Sequence, residues 1–232
     1  MKSEEDLAED LRRRILSLEL APGAVLSRAE LANSYAISST PLRDALLRLR
    51  DQGLVIIMPQ SRTQVARIDL DHARQIHVLR STVEAEVAAR LAAAPPEGLV
   101  AQLKTLIEMQ EGEARREDMG AFARLDLAFH EALLKAAGLD AVHRVIRRES
   151  IHIDRLRALH LMQPEKAQQI LTDHHLIATA IAEADPGAAA AAMRRHLSQS
   201  ILLGEKLTHQ RPEFFTETAQ AGGLAAAPPP YE

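Results

Sequence analysis

"SRAELANSYAISSTPLRDALLRLRDQGLVIIMPQSRTQVA", residues 27–66, contains two closely spaced helix starts followed by two short β-rich runs. Ser27 and Glu30 have the spacing of a capping box, and Leu31 opens the apolar side of a short helix. After Tyr35 the chain turns tightly and starts again. Hydroxyls at 38–40 offer an N-cap, and Pro41 is tolerated in a first turn. Leu42, Ala45, Leu46 and Leu49 form the inner face of this second helix, and Gly53 stops it. "LVII" and "TQVA", separated by "MPQSR", read as two strands joined by a turn. Upstream, residues 4–19 read as a helix with Leu7, Leu11, Ile15 and Leu18 on one face, ended by "APG" at 21–23. Three helices and a small hairpin describe a winged helix-turn-helix, whose helix after the turn is the one that enters a major groove. Its outer face offers Thr40, Arg43, Asp44, Leu47, Arg48 and Arg50. The plain alternative is a solvated helix in a helical protein.

Charge supports the first reading. Residues 12–67 hold nine Lys/Arg against four Asp/Glu, a balance of +5 within a chain of net charge −4, so the remainder carries −9. A basic piece on an acidic body points to an anionic partner for that piece alone. The 232-residue chain is about half apolar, with 3% aromatics and no cysteine. This composition favours helices and rules out disulfides and thiolate metal sites. The acidic, polar start "MKSEEDLAED" is unlike a signal peptide, and no apolar run approaches the roughly 18 residues of a membrane span. A cytoplasmic protein with no membrane partner is expected.

From Asp69 the chain becomes nearly all helical. Breakers divide it into six segments: 69–94, 96–117, 119–137, 139–161, 164–184 and 186–209. The expected organisation is a mostly α protein. A winged helix-turn-helix covers 1–68 and an all-α six-helix bundle covers 69–210. A tail rich in Ala, Gly and Pro covers 211–232 and is expected to be disordered.

Several polar residues sit on the apolar stripes of these helices. Asp126 and His130 lie four residues apart in "LDLAFHEALL", beside Leu125, Phe129 and Leu133, so they stack on one side of a helix. His174 continues the line Ile170, Ile177, Ile181, whereas His175 is turned about 100° away. His196 lies between Met193 and Leu197. A buried carboxylate needs a partner. One Asp and three neutral imidazoles suit a divalent transition metal, which would supply that partner. Sequence spacing leaves open whether the three helices converge.

The residues so far quoted resemble two known patterns. "LAPGAVLSRAELANSYAISSTPLRDALLRLRDQGLV" resembles the N-terminal domain of GntR-type bacterial transcription regulators. "LDLAFH", "DHHLIATAI" and "MRRHL" resemble, in order, the metal-ligand motifs of the FadR subfamily's all-helical effector domain (the FCD domain). The six-helix count suits its shorter, VanR-like group. The resemblance covers about residues 5–205. It implies a homodimeric regulator that binds double-stranded operator DNA and is modulated by a small organic acid. Its implied cofactor is a divalent ion: zinc, with nickel, manganese or iron as alternatives. The implied ligands are Asp126, His130, His174 and His196.

The resemblance also places an arginine near the ion on the first effector-domain helix, and Arg80 answers to it. Arg80 is positioned either to clamp an effector carboxylate or to form a structural ion pair with Glu84. In the DNA-binding half, Thr40 and Arg43 keep the family pattern. Ser39 stands where the family usually has Arg. Another usual Arg falls at Ala29, beside Arg28. Arg62 stands where the wing usually has Gly. The expected DNA contacts are therefore Arg28, Ser39, Thr40, Arg43 and Arg62, with base readout altered relative to relatives. The rival class is a metal-dependent hydrolytic enzyme. Against it stand the absence of a nucleophile motif, of a phosphate loop and of a second carboxylate placed as a general base.

Overall fold

Apolar spacing decides which face each helix of the first domain buries, and a side-chain cap starts the helix after Ser27 but not the one after Ser38, where the expected hydroxyl cap makes no bond. The computed structural model describes residues 4–58, 62–161 and 164–217. Helix α1 (Glu4–Leu16) buries Leu7, Leu11 and Ile15. It ends earlier than the expected residue 19, because Leu18 adopts a left-handed backbone, φ 64°, which cannot continue a right-handed helix. In α2 (Arg28–Tyr35), Ser27 caps by accepting the Glu30 N–H. The tight turn after α2 places Ala36 at φ 52°, and α3 (Ser39–Asp51) follows with Leu42, Ala45, Leu46 and Leu49 buried.

Strands β2 (Val55–Ile57) and β3 (Thr63–Val65) are the expected hairpin, and residues 59–61 of its turn lie outside the described residues. A third strand, β1 (Val25–Leu26), was not expected. It pairs antiparallel with β3, giving the order β1-β3-β2. Two residues with one of them exposed carry no readable alternation, so β1 is a product of the tertiary fold.

The second domain consists of α4 (Leu70–Ala93), α5 (Leu99–Arg115), α6 (Met119–Ala136), α7 (Asp140–Glu149), α8 (Ile151–Leu161), α9 (Pro164–Ala182) and α10 (Pro186–Gln210). Asp69, Asp118 and Asp185 cap α4, α6 and α10 by accepting the N–H three residues on. The all-α reading holds, but the expected segment 139–161 is two helices. At the break, the buried Ser150 donates its hydroxyl to the Ile146 carbonyl at 2.6 Å. A side-chain donor there gives the carbonyl a partner other than the next turn of helix. The main core joins α4, α5, α6, α9 and α10 around Phe122, Phe129, Leu103, Ile107 and Met193.

The expected disordered tail needs correction. Pro212–Phe214 form one 3-10 turn and Phe215 is fully buried. Ile68 N–H donates to the Phe214 carbonyl at 2.8 Å, and Thr216 N–H donates to the Ile68 carbonyl at 3.0 Å. Two phenylalanines bring enough apolar surface to hold this segment, which the Ala/Gly/Pro composition farther along conceals. Residues 218–232 of the expected tail lie outside the described residues.

Helix α8 spans the junction of the two domains. Ile151 packs into the first domain's core with Leu7, Leu49 and Leu54. Arg155 is fully buried and donates through Nη1 to the Ala66 carbonyl at 2.5 Å and through Nη2 to His152 Nδ1 at 2.8 Å. His152 Nδ1 also accepts the Asp69 N–H at 2.9 Å. The linker 66–69 is thus held by α8 on one side and by the C-terminal segment on the other.

Two outcomes follow from this packing. A side chain at Gly204 would press on Leu70 and Leu156, since a Cβ there lies 2.9 Å from Leu70 Cδ1. Gly204→Val is therefore expected to lower stability by about 1–3 kcal/mol in chemical denaturation. Burial, with Arg155 and His72, pushes the His152 imidazole down to about 3. The unfolded chain takes up this proton near pH 6.5 and the folded chain only near 3. The His152 contribution is therefore complete above pH 6.5 and is lost as pH falls toward 3. His152→Asn, whose amide oxygen can accept the same bonds, should flatten the dependence of the melting midpoint on pH between about 6.5 and 4.

Candidate metal centre and nucleic-acid interface

Asp126 and His130 lie one turn apart on α6, His174 lies on α9 and His196 on α10. All four are buried, and one ligand atom from each lies within 4.8 Å of the other three. His130 Nε2 approaches His196 Nε2 to 3.1 Å, and His174 Nε2 lies 3.4 Å from Asp126 Oδ1. His174 Nε2 and Asp126 Oδ1 have no hydrogen-bond partner. Two buried polar atoms left in this way are costly unless a further group satisfies both.

The opposite edge of each imidazole faces an acceptor. His174 Nδ1 donates to Gln110 Oε1 at 2.8 Å. His130 Nδ1 lies 2.6 Å from Glu84 Oε2, a short contact that is not aligned as a hydrogen bond. His196 Nδ1 lies 3.8 Å from Asp173 Oδ2. The Gln110 oxygen assigns N–H to Nδ1 of His174 and leaves its Nε2 lone pair inward, and Glu84 and Asp173 stand on the same outer edge of His130 and His196, as outer partners do around a histidine-held ion. Phe129 stacks on His174 with centroids 3.9 Å apart and planes 9° from parallel, fixing that ring.

Charge around the cluster is closely matched. Glu84 Oε1 accepts from Arg80 Nε at 2.7 Å, and Asp173 accepts from Arg195 at 2.5 Å. Burial alone would raise the Glu84 carboxyl, but Arg80 and His130 together hold it well below the usual carboxylate range. Burial pushes His174 far below 6.5, and neighbouring His196 and His130 add to this. Burial also lowers His196 to about 4, against the opposing pull of Asp173. Both rings are therefore neutral at pH 7, the state that ligates metal. One carboxylate and three neutral imidazoles, without thiolate, fit a divalent transition ion with positions left for an outside oxygen.

The first domain brings a second set of residues together. Arg28, Ala29 and Ala32 of α2 and Ser39, Thr40, Leu42 and Arg43 of α3 line one cleft. Arg28, Ser39, Thr40 and Arg43 are exposed there. Arg28 Nε donates to Thr63 Oγ1 at 3.2 Å, tying α2 to the wing. Arg62, also exposed, does not line that cleft and directly precedes β3, beside residues 59–61.

Comparison with known proteins agrees with both halves. Residues 3–65 match the bacterial regulatory proteins of the gntR family, and residues 75–199 match the FCD domain. The chain belongs to the GntR family. This GntR regulator is 34% identical over 215 residues to a Streptomyces ambofaciens protein described as an uncharacterized HTH-type transcriptional regulator in an unstable DNA locus, covering 92% of this chain and 90% of that one. It is 28% identical to the HTH-type transcriptional repressor RspR of Escherichia coli K12, covering 89% and 91% of the two chains. Its fold matches that of E. coli McbR/YncC with a TM-score of 0.71 at 20% identity, covering 89% of this chain and 100% of that one. The family and these relatives are transcriptional regulators, not enzymes. Among the described residues no helix is long and apolar enough to cross a membrane.

The four expected ligand residues of the GntR regulator converge, and four of the five expected DNA contacts share a face. Arg80, open to two roles in the sequence, makes the ion pair with Glu84. Gln110, Asp173 and Arg157 were not singled out. Gln110 continues the buried line Leu99, Leu103, Ile107, the same signal that exposed His174, and was readable. Asp173 is screened by its neighbours His174 and His175. Arg157 lies on α8 and forms a buried ion pair with Asp126. Nothing in its spacing separates it from a surface arginine.

His174 and His175 provide an internal control, since His175 is exposed and lies 3.0 Å from Glu111 on the surface. His174→Ala should abolish stoichiometric metal binding measured by elemental analysis of the purified protein, while His175→Ala should leave it unchanged.

Proposed function

We propose that this GntR regulator is a cytoplasmic homodimer that binds a near-palindromic operator through the α2–α3 faces of two subunits. We further propose that a small carboxylate effector modulates this binding from the FCD domain. Asp126, His130, His174 and His196 would hold a divalent ion there, zinc in the first instance. Bound there, the ion supplies a Lewis-acidic centre for an effector carboxylate. The observation that carries the reading is the orientation of the three imidazoles: Nδ1 outward toward an oxygen, and Nε2 inward, that of His174 toward Asp126 and those of His130 and His196 toward each other.

Two heads are expected because a single module buries only about 600–1,000 Å² on DNA, which limits genomic specificity. The α2–α3 cleft combines a hydroxyl pair, Ser39 and Thr40, with two guanidiniums, Arg28 and Arg43. Arginine forks suit both phosphate and guanine edges. Helix α8 gives the effector site a route to the DNA head. It contacts Asp126 through Arg157, the linker through Arg155 and the first domain's core through Ile151. This is allostery if acid and DNA alter each other's affinity by the same factor.

Fluorescence anisotropy on a genomic operator fragment tests the DNA face. Arg43→Ala should weaken binding by about 1–3 kcal/mol if it reads a base, or reduce the salt slope by about one if it meets a phosphate. Unchanged affinity at every salt concentration would remove Arg43 from the interface. Sedimentation should show a dimer at micromolar concentration, and a monomer binding DNA one-to-one would overturn the two-headed arrangement.

A further inference from the structure

We infer that the effector carries two anionic groups, a dicarboxylic acid, and that Arg157 is the side chain that recognises the second group. The inference rests on the proposed metal-held carboxylate and goes beyond it by counting buried charge.

Around the cluster the ionised groups pair off. Arg80 pairs with Glu84, Arg195 with Asp173, and Arg157 with Asp126. Each of these three pairs is electrically balanced. An imidazole that ligates a metal is neutral, so the three histidines add no charge when the cluster holds an ion. Asp126 is also the single carboxylate of the four-residue ligand set. One carboxylate cannot neutralise both a guanidinium and a divalent ion. With an ion held by the cluster, the balance becomes two positive charges in excess, buried among helices.

A monocarboxylate would cancel one of them and leave the other unpaired in a low-dielectric site, which is strongly unfavourable. A dianion cancels both. Nη1 of Arg157 is buried with no hydrogen-bond partner, so the guanidinium has a donor to offer. Its planar fork suits a carboxylate. Arg80 is a poorer candidate for the second group, because its Nε is already committed to Glu84 at 2.7 Å. The position of Arg157 also gives the second charge a consequence. Arg157 is two residues from Arg155, which grips the linker at Ala66. A ligand group that draws Arg157 away from Asp126 acts on the helix that holds the DNA head.

The test uses the full-length protein loaded with zinc and calorimetric titration with matched pairs. Each unbranched dicarboxylate from malonate to adipate is compared with its own monoamide, which keeps the length and removes one charge. At the best chain length the diacid should bind about tenfold or more tightly than its monoamide, the scale of a lost charge-assisted hydrogen bond. Arg157→Met, which keeps an unbranched buried side chain, should erase that gap while retaining one zinc per chain. Without acid, Arg157→Met should bind zinc more tightly than the wild type, because Asp126 no longer has a competing cation; Arg157→Lys should keep part of the diacid preference. If Arg157→Met does not fold, the wild-type pairs and Arg157→Lys still decide the matter. Equal affinity for diacid and monoamide at every length would overturn the two-anion inference and leave the metal-held carboxylate standing. Preference for inorganic phosphate over every diacid would overturn the dicarboxylate class. Zinc binding with no response to any acid would instead overturn the proposed effector site itself.

Discussion

A carboxylate and three imidazoles are buried together, and the helical domain is arranged so that a polar or charged side chain from another helix faces each of them. Asp126 has Arg157, His130 has Glu84, His174 has Gln110 and His196 has Asp173. These partners come from α4, α5, α8 and α9, so together with α6 and α10 six of the domain's seven described helices are bound into one polar knot. Apolar packing alone would tolerate small shifts of these helices against one another. Buried charges and polar groups in a low dielectric do not, because each displacement separates such a group from the side chain that faces it.

Helix α8 connects that knot to the rest of the molecule. Along about two turns it presents Ile151 to the core of the winged domain, His152 and Arg155 to the linker, and Arg157 to Asp126. The break at Ser150 makes this possible. A continuous helix over 139–161 would carry α7 and α8 along one axis, whereas two helices can aim independently. The segment around Phe215 closes the other side of the linker by pairing with Ile68. The junction between the domains is therefore built from main-chain bonds to buried side chains, and a displacement of α8 has few ways to leave the linker unmoved.

The two halves use charge in opposite ways. In the winged domain the arginines of the α2–α3 cleft are exposed, where they can exchange water for an anionic surface and remain sensitive to salt. In the FCD domain Arg80, Arg155 and Arg157 are withdrawn from water and matched to named oxygens or to a ring nitrogen. Burial is severe enough to lower the Arg157 guanidinium to about 9, with Arg80 adding to the effect. The first arrangement suits a large, variable polyanion. The second suits a small ligand of defined charge.

Much of this was written locally. Ser27 and Asp185 announce helix starts, Gly53 announces a stop, and the apolar stripes through Leu42, Leu46 and Leu49 or Ile170, Ile177 and Ile181 announce buried faces. Asp126, His130, His174 and His196 declare themselves by interrupting such stripes, because a polar residue at a buried position must have a reason within reach. Strand β1, the docking of Phe215 and the pairing of Arg157 with Asp126 are different in kind. Each depends on a partner far away in the chain: β3 for Val25 and Leu26, Ile68 for Phe215, α6 for Arg157. By itself the sequence determined where most helices begin, which sides they bury and which residues were candidates for a shared site. Only the tertiary structure decided that the three helices meet, which acceptor turns each imidazole, and that Arg157 is buried, because those outcomes depend on side-chain direction and long-range contact, and local propensity carries neither.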